Sequence, residues 1–193
     1  MTSEKLIQLV ADAGASATAF IKTEDIVLSE EFRAICEKNS CGKFGSCYMC
    51  PPYTGDIVTR MQEIRSYPGG ILYQTVGTLE DSFDFEGMMA AARRHAELSR
   101  EIGRRLDNLR RAASDAGEPD PLPARMLHLS NGGCDLCEIC GAVDGTPCRF
   151  PELALPSVES YGMDVYRTSK AAGLRYNNGP NTVTYFGLLL FHE

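Results

Sequence analysis

The sequence lacks the features that mark secreted and membrane-embedded chains. It begins MTSEKLIQLVADAG, where no basic segment precedes an apolar stretch, so no secretory signal is visible. Its longest apolar run, 186–191, is far shorter than the about 20 residues that a membrane-spanning helix needs. These absences lead us to expect a cytoplasmic protein that does not contact a membrane.

The sequence also lacks a basic excess and the common catalytic motifs. It has 19 basic and 26 acidic side chains, a formal net charge of −7, which disfavours binding to nucleic acids or anionic lipids. We find no phosphate-binding glycine loop, no internal repeat and no recognisable Ser–His–Asp arrangement. The chain has only three histidines, and one of them, His128, precedes a cysteine-rich segment. His128 is either an alternative ligand or proton donor there, or an ordinary core or surface histidine.

Cysteine, in contrast, is abundant, with eight in 193 residues. Structural disulfides are rare in reducing compartments, so clustered cysteines in a cytoplasmic protein indicate metal binding or redox chemistry. The remaining composition, 44% apolar, predicts a packed globule. We therefore expect one domain, 1–193, that includes two cysteine-rich loops.

The spacing of apolar residues predicts alternating helices and strands. Helical spacing covers 3–13, 29–36, 56–67, 84–116, 157–162 and 164–172. Strand-like runs cover 17–21, 71–76, 125–129 and 182–191. We expect an α+β (or α/β) fold, in which helices pack on a central mixed sheet of about four strands and the two metal-binding loops lie at about 36–55 and 131–151.

The longest predicted helix, 84–116, carries seven arginines. They form either a docking face for an acidic redox partner or an anionic cofactor, or a solvated face that neighbouring acidic residues balance.

The second cysteine-rich loop contains the spacing C-x2-C-x2-C-x7-C, formed by Cys134, Cys137, Cys140 and Cys148. Two successive x2 steps place three thiolates on one tight loop, which suits three corners of a [4Fe–4S] cubane; bacterial ferredoxins begin in the same way. Zinc is the alternative, but zinc ribbons use two separated C-x2-C pairs. The spacing therefore favours an iron–sulfur cluster.

The first cysteine-rich loop contains Cys36, Cys41, Cys47 and Cys50, spaced x4, x5 and x2. Prolines follow the last cysteine, as at the end of ferredoxin loops. We interpret this set as a second [4Fe–4S] site with either four cysteine ligands or three and one open iron. A structural zinc and a reducible disulfide between Cys47 and Cys50 are alternatives.

Four segments together resemble a known family: CEKNSCGKFGSCYMCPP, GGCDLCEICG, CRFPE and SVESYGMDV. They are similar to the DUF2284 family of predicted metal-binding proteins, which is common in anaerobic bacteria and archaea. The resemblance extends from about Cys36 to the C-terminus. It implies cysteine-bound metal of the iron–sulfur type and no settled reaction. It carries over to every cysteine except Cys47, where related loops often have another residue, so the three-ligand version of the first site stays open.

Three functions fit these observations. The first is an iron–sulfur protein with two [4Fe–4S] clusters that transfers electrons to a redox partner protein or performs redox activation. The second is an enzyme in which one open iron acts on a small molecule or cofactor. The third is a zinc-stabilised interaction module.

Overall fold

Four strands form one antiparallel sheet in the computed structural model, which describes residues 1–192. The strands are β1 (Ala17–Lys22), β2 (Gly69–Thr78), β3 (Arg125–Leu129) and β4 (Thr182–His192). Their order across the sheet is β1-β2-β4-β3, so the last strand of the chain lies in the interior of the sheet. All four strands predicted from the sequence are confirmed.

The sheet is antiparallel throughout, so the expected mixture of strand directions is not found, and the α+β class is the one confirmed. β2 and β3 do run in the same direction, because each pairs antiparallel with β4. A parallel pair would need them side by side after the helical crossover that joins them. β4 separates them, so these two strands do not form a parallel pair.

Residues 1–192 contain five α-helices, which are α1 (Ser3–Asp12), α2 (Glu31–Glu37), α3 (Ile57–Arg65), α4 (Phe85–Asp115) and α5 (Val165–Ala171). Four of them, all except α2, pack on the sheet. Three of them begin at an aspartate whose carboxylate accepts a hydrogen bond from a backbone N–H of the first turn, as a good N-cap does. No helix among residues 1–192 is both long enough and apolar enough to cross a membrane.

The helix predicted at 157–162 is only a 3-10 turn, Glu159–Tyr161. The Ser157 hydroxyl accepts from the Ser160 backbone N–H at 3.1 Å, and its carbonyl accepts from the Ser160 hydroxyl. Gly162 then takes a φ of +83°, a left-handed conformation that ends the turn. Serine side chains that bond to the local backbone favour turns over helices, which explains the difference.

Two apolar cores lie on opposite faces of the sheet, as the alternation of side chains along a strand requires. On β2, Leu72 faces one core, whereas Ile71 and Tyr73 face the other. α3, α5 and the 3-10 turn cover the first face, and α1 and α4 cover the second. The cysteine-rich loops lie outside both cores, because no core residue of either cluster comes from them.

A chain of hydrogen bonds crosses the core beneath α4. The Tyr73 hydroxyl donates to Ser99 Oγ at 2.7 Å, and Ser130 Oγ donates to the same atom at 2.8 Å. Since the Tyr73 proton is already used, His128 Nε2 donates to the Tyr73 oxygen at 2.8 Å. The network joins β2, β3 and α4 and ends at the residue before the second cysteine-rich loop.

His95 makes folding stability depend on pH. It is fully buried, its Nδ1 lies 2.9 Å from Thr75 Oγ1, and burial, with the nearby His128, lowers its pKa to about 3. Below about pH 6.5 the unfolded chain therefore binds a proton that the folded chain does not, so stability is full above that pH and falls beneath it. We expect a loss of about 1.4 kcal/mol per pH unit from this residue.

Urea unfolding at pH 7 and pH 5 measures this dependence. We expect His95→Gln to lose part of the stability at pH 7 and to show a flatter pH profile than the wild type. Exposed His192, replaced by Gln, is the matched control and should leave the profile unchanged. Equal slopes in wild type and His95→Gln would refute the assignment.

Candidate metal centre

The two cysteine-rich loops contact each other through two tyrosines of the first loop. The Tyr53 hydroxyl donates to the carbonyl oxygen of Ala142 at 3.1 Å, and the Tyr48 hydroxyl donates to that of Thr146 at 2.8 Å. The two rings pack edge to face with their centroids 5.0 Å apart. Residues almost a hundred positions apart in the chain are thus brought into one region.

The first loop, between α2 and α3, is folded back on itself by local hydrogen bonds. Asn39 adopts a φ of +52°, and its side-chain oxygen accepts from the Phe44 N–H at 3.0 Å. The Gly45 N–H then donates to the Pro51 carbonyl at 2.9 Å. Gly45 has a φ of +68°, a conformation that an L side chain would strain. These turns bring the two ends of the cysteine segment together.

The second loop, between β3 and α5, is held by polar side chains of its own. The Asp144 carboxylate accepts from both the backbone N–H and the hydroxyl of Thr146, at 3.1 and 2.7 Å. Arg149, beside the fourth cysteine, donates to the Ile139 carbonyl at 2.7 Å. The Arg149 side chain therefore joins the end of the cysteine segment to Ile139 in its middle.

A cavity of about 380 Å³ lies where the loops meet, and five cysteines line it. Four are the predicted second set and the fifth comes from the first loop: Cys134, Cys137, Cys140, Cys148 and Cys47. The structure thus brings together all members of the C-x2-C-x2-C-x7-C set around one space. All eight cysteines of the chain are free thiols, so the disulfide alternative for Cys47 and Cys50 is not present.

Cys47 occupies the contact between the two sets of thiols. It is 1% exposed, and its sulfur interacts with the Cys50 thiol and with the backbone N–H groups of Met49 and Cys134. The Cys50 hydrogen bond is the main cause that lowers the pKa of Cys47 to about 6, and Lys43 contributes in the same sense. The thiolate form of Cys47 is thus favoured by donors from both loops.

The other three cysteines of the first loop lie within electrostatic range of one another. The hydrogen bond to Cys47, burial and the neighbouring thiolates, those of Cys41 and Cys36 included, raise the pKa of Cys50. Burial raises the pKa of Cys36, against the opposing effect of Arg33. Cys50 is buried, Cys36 is half-buried and Cys41 is exposed. The first set therefore extends from the interior to the surface.

The thiols surround a space rather than meet at a point. Within residues 1–192, no three Cys, His, Asp or Glu side chains converge as closely as a single bound metal ion requires. The donor set itself fits a metal with affinity for sulfur, since thiolates select zinc, copper(I) and iron–sulfur clusters.

The contact between the loops can be tested by removing single hydroxyls. Tyr53→Phe and Tyr48→Phe keep the ring packing and each remove one hydrogen bond to the second loop. We expect Tyr53→Phe to cost about 1 kcal/mol, Tyr48→Phe to cost less because its bond is exposed, and the double variant to cost the most. Hydrogen exchange of residues 134–148 should accelerate in both. Tyr166→Phe, at an exposed tyrosine of α5 outside both loops, is the control, and unchanged exchange in the double variant would contradict the docking role.

His128 and most of the arginines of α4 interact with side chains other than the cysteines. His128 Nε2 forms a hydrogen bond with the Tyr73 hydroxyl. This nitrogen is therefore bonded as in an ordinary core histidine. Arg104 and Arg105 pair with Glu101, Arg100 pairs with Asp135, and Arg110 pairs with Asp120. In the part of the chain that the structure describes, ion pairs are absent from only three of the seven: Arg93, Arg94 and Arg111.

Sequence reasoning missed three side chains of this region: Lys43, Tyr48 and Tyr53. Lys43 lies against Gly133 of the second loop and lines the thiol cavity. The only sequence feature that could have indicated these residues was their position inside the first cysteine segment. Their roles depend on the approach of the second loop, which no local pattern encodes.

The comparisons with known proteins give one match. A family model described as "Predicted metal-binding protein (DUF2284)" covers residues 19–191. No curated protein and no solved structure matches the chain. The resemblance read from the cysteine motifs is thereby confirmed over almost the whole length.

Proposed function

Because the chain belongs to the DUF2284 family of predicted metal-binding proteins, we propose that it binds two [4Fe–4S] clusters and serves in electron transfer or redox activation. The second cluster is held by Cys134, Cys137, Cys140 and Cys148. The first is held by Cys36, Cys41 and Cys50, with Cys47 as the fourth member of the set. The observation that carries the proposal is the cavity of about 380 Å³ that five free thiols line.

The arrangement of the thiols favours a cluster over a single ion. Zinc takes four sulfur ligands about 2.3 Å away, which requires the thiols to converge on one point. The thiols of the second set are instead distributed around a cavity, as suits a group that has a volume of its own and receives one cysteine at each iron. Bound there, the clusters would supply one-electron redox chemistry.

The proximity of the two sets supports electron transfer. Cys47, from the first loop, accepts a hydrogen bond from the backbone of Cys134, the first cysteine of the second set. Electrons that pass between the two sites would therefore cross a contact of packed loops rather than a solvent gap. The protein chain itself keeps the sites in place through the tyrosine hydrogen bonds and excludes water from Cys47.

A redox partner protein is part of this proposal. Three apolar side chains of the second loop, Ile139, Val143 and Phe150, line the thiol cavity and are exposed, the first two by about 60%. Exposed apolar side chains grouped around a site are typical of surfaces that another protein covers. We propose that the partner docks there, next to the second cluster.

Metal analysis of anaerobically purified protein tests the proposal directly. We expect about eight irons and about eight acid-labile sulfides per chain, the content of two cubanes. Zinc without sulfide would reject the iron–sulfur proposal and favour the zinc-stabilised interaction module. About four irons would limit the proposal to one site.

The position of Cys47 favours one alternative, an enzyme with an open iron. Cys47 lines the cavity of the second set, although its sequence position assigns it to the first. If it serves neither cluster, the first has only Cys36, Cys41 and Cys50 and leaves one iron free to bind a small molecule. This alternative makes the protein a catalyst rather than a carrier.

Cys47→Ala distinguishes the two versions. If Cys47 is a ligand, the variant should lose about four irons and one of two EPR signals, whereas the open-iron version predicts that both signals remain. Ser46→Ala, the neighbouring position in the same loop, is the control for damage to the loop and should keep both signals. EPR of the reduced protein together with iron analysis gives the answer.

A further inference from the structure

We propose that a second cavity, between the first cysteine-rich loop and α4, binds a small organic anion with a flat apolar body. The cavity has a volume of about 670 Å³, within the range of about 300–1,000 Å³ typical of small-molecule sites. The side chains that carry the argument are Lys43, Phe85, Met89, Arg93 and Tyr185. None of them belongs to the thiol sets.

The charges in this cavity favour an anion. Lys43 and Arg93 both line it, and neither forms an ion pair with any of residues 1–192. Of the two acidic side chains in the lining, Asp135 pairs with Arg100 at 3.0 Å, and half-buried Glu159 is the one carboxylate among residues 1–192 of this lining without an ion pair. Two cations against one unpaired carboxylate in one concave site, with Arg93 outside every ion pair, form a local attraction for a carboxylate or a similar group.

The remaining lining favours a flat apolar body. Phe85 is 70% exposed and Met89 is 42% exposed, both on the side of α4 that faces the cavity. Tyr185 also lines the cavity, with its hydroxyl held against α4 by donation to the Met88 carbonyl at 2.9 Å. Aromatic and thioether side chains bind planar apolar groups well, because they combine a large contact area with polarisable atoms. A bound ring would cover surface that is otherwise left to water.

The position of the cavity links it to the candidate metal centre. Cys41, the exposed thiol of the first set, lines it, and Lys43 lines both this cavity and the thiol cavity. Binding of the anion needs only the side chains of the chain itself. Its role as a substrate rests on the open-iron version of the proposed function, because a molecule held here lies beside the first set of thiols.

Calorimetric titration of the anaerobically purified protein with 2-naphthoate tests the site, with uncharged 2-naphthamide as the matched probe. We expect 2-naphthoate to bind at least about tenfold more tightly, since one charge-assisted hydrogen bond accounts for that factor. Arg93→Gln should weaken 2-naphthoate about tenfold and leave 2-naphthamide unchanged. Arg111→Gln, an exposed arginine of the same helix outside the cavity, is the control and should bind like the wild type.

Three results would overturn the proposal. They are equal affinity for the two probes, no binding of 2-naphthoate up to millimolar concentration, and an Arg93→Gln variant that binds like Arg111→Gln. Phe85→Ser adds a test of the apolar part and should weaken both probes together. Iron is measured in every sample. A full iron content without binding of 2-naphthoate would reject the anion site but would leave the iron–sulfur proposal intact.

Discussion

Replacing Cys137 with serine is expected to remove about four irons per chain and to destabilise the C-terminal half of the protein. Cys137 is the middle cysteine of the x2 steps and lines the thiol cavity. Metal binding is coupled to folding, because the ligands are brought together only in the folded chain. A loss of roughly 3 kcal/mol would lower Tm by about 10 °C in a domain of this size. Iron analysis and thermal melting, both anaerobic, measure the two effects.

Glu138→Gln is the control for this variant, since Glu138 is adjacent in sequence and lines the same cavity. It should keep both the iron content and Tm. The effect of Cys137→Ser should also disappear when wild type and variant are compared after removal of metal. Unchanged melting of the iron-loaded variant would contradict the coupling of cluster binding to folding, and unchanged iron would contradict the ligand assignment.

Gly187→Ala should have a large effect on stability outside the cysteine loops. Gly187 pairs with Tyr73 across β4 and β2, and a Cβ at this position would overlap the tyrosine ring. Overpacking of a well-packed core costs about 1–3 kcal/mol. Displacing Tyr73 also breaks its bonds to Ser99 and His128, at about 1 kcal/mol each. We expect a total of about 3–5 kcal/mol and a decrease in Tm of at least roughly 6 °C.

Gly103→Ala is the matched control. Gly103 lies inside α4, and nothing would contact its Cβ within 4 Å. This variant should be stabilised by up to about 1 kcal/mol, because alanine favours a helix over glycine. Thermal melting of both variants, and of Gly187→Ala in a Tyr73→Leu background, separates the causes. The cost of Gly187→Ala should shrink in that background, and an unchanged cost would exclude the tyrosine as its source.

The local pattern predicted most of the secondary structure correctly. Periodicity located the four strands and the long helix, α4, within a few residues of their observed bounds. Those segments bury a continuous stripe or an alternating face, so the pattern and the tertiary environment agree. The pattern was wrong at 157–162, where the serine side chains bond to their own backbone and make a 3-10 turn. Side-chain competition of this kind is invisible to apolar spacing.

The apolar pattern of the sequence did not predict the order of the strands in the sheet. A strand–helix–strand segment with a long crossover favours a parallel neighbour, yet β4 lies between β2 and β3. β4 is buried from Phe186 to Phe191, and a strand that is apolar on both faces is stabilised most in the interior of a sheet. The strand order therefore depends on the free energy of the whole folded sheet. The apolar pattern of a single segment does not contain that information.

The cysteine spacing determined by itself which residue types and which loops form the candidate metal centre. Spacings of x2 to x7 keep each set of thiols within one short segment whatever the remainder of the chain does, so the sets 36–50 and 134–148 follow from proximity along the chain. The DUF2284 family model covers both sets. Only the tertiary structure decided that the two loops pack together and that Cys47 lies at their contact, next to Cys134. That contact is made by tyrosine hydroxyls and backbone carbonyls almost a hundred residues apart, and such pairings exist only once the sheet has folded and brought the loops to the same region.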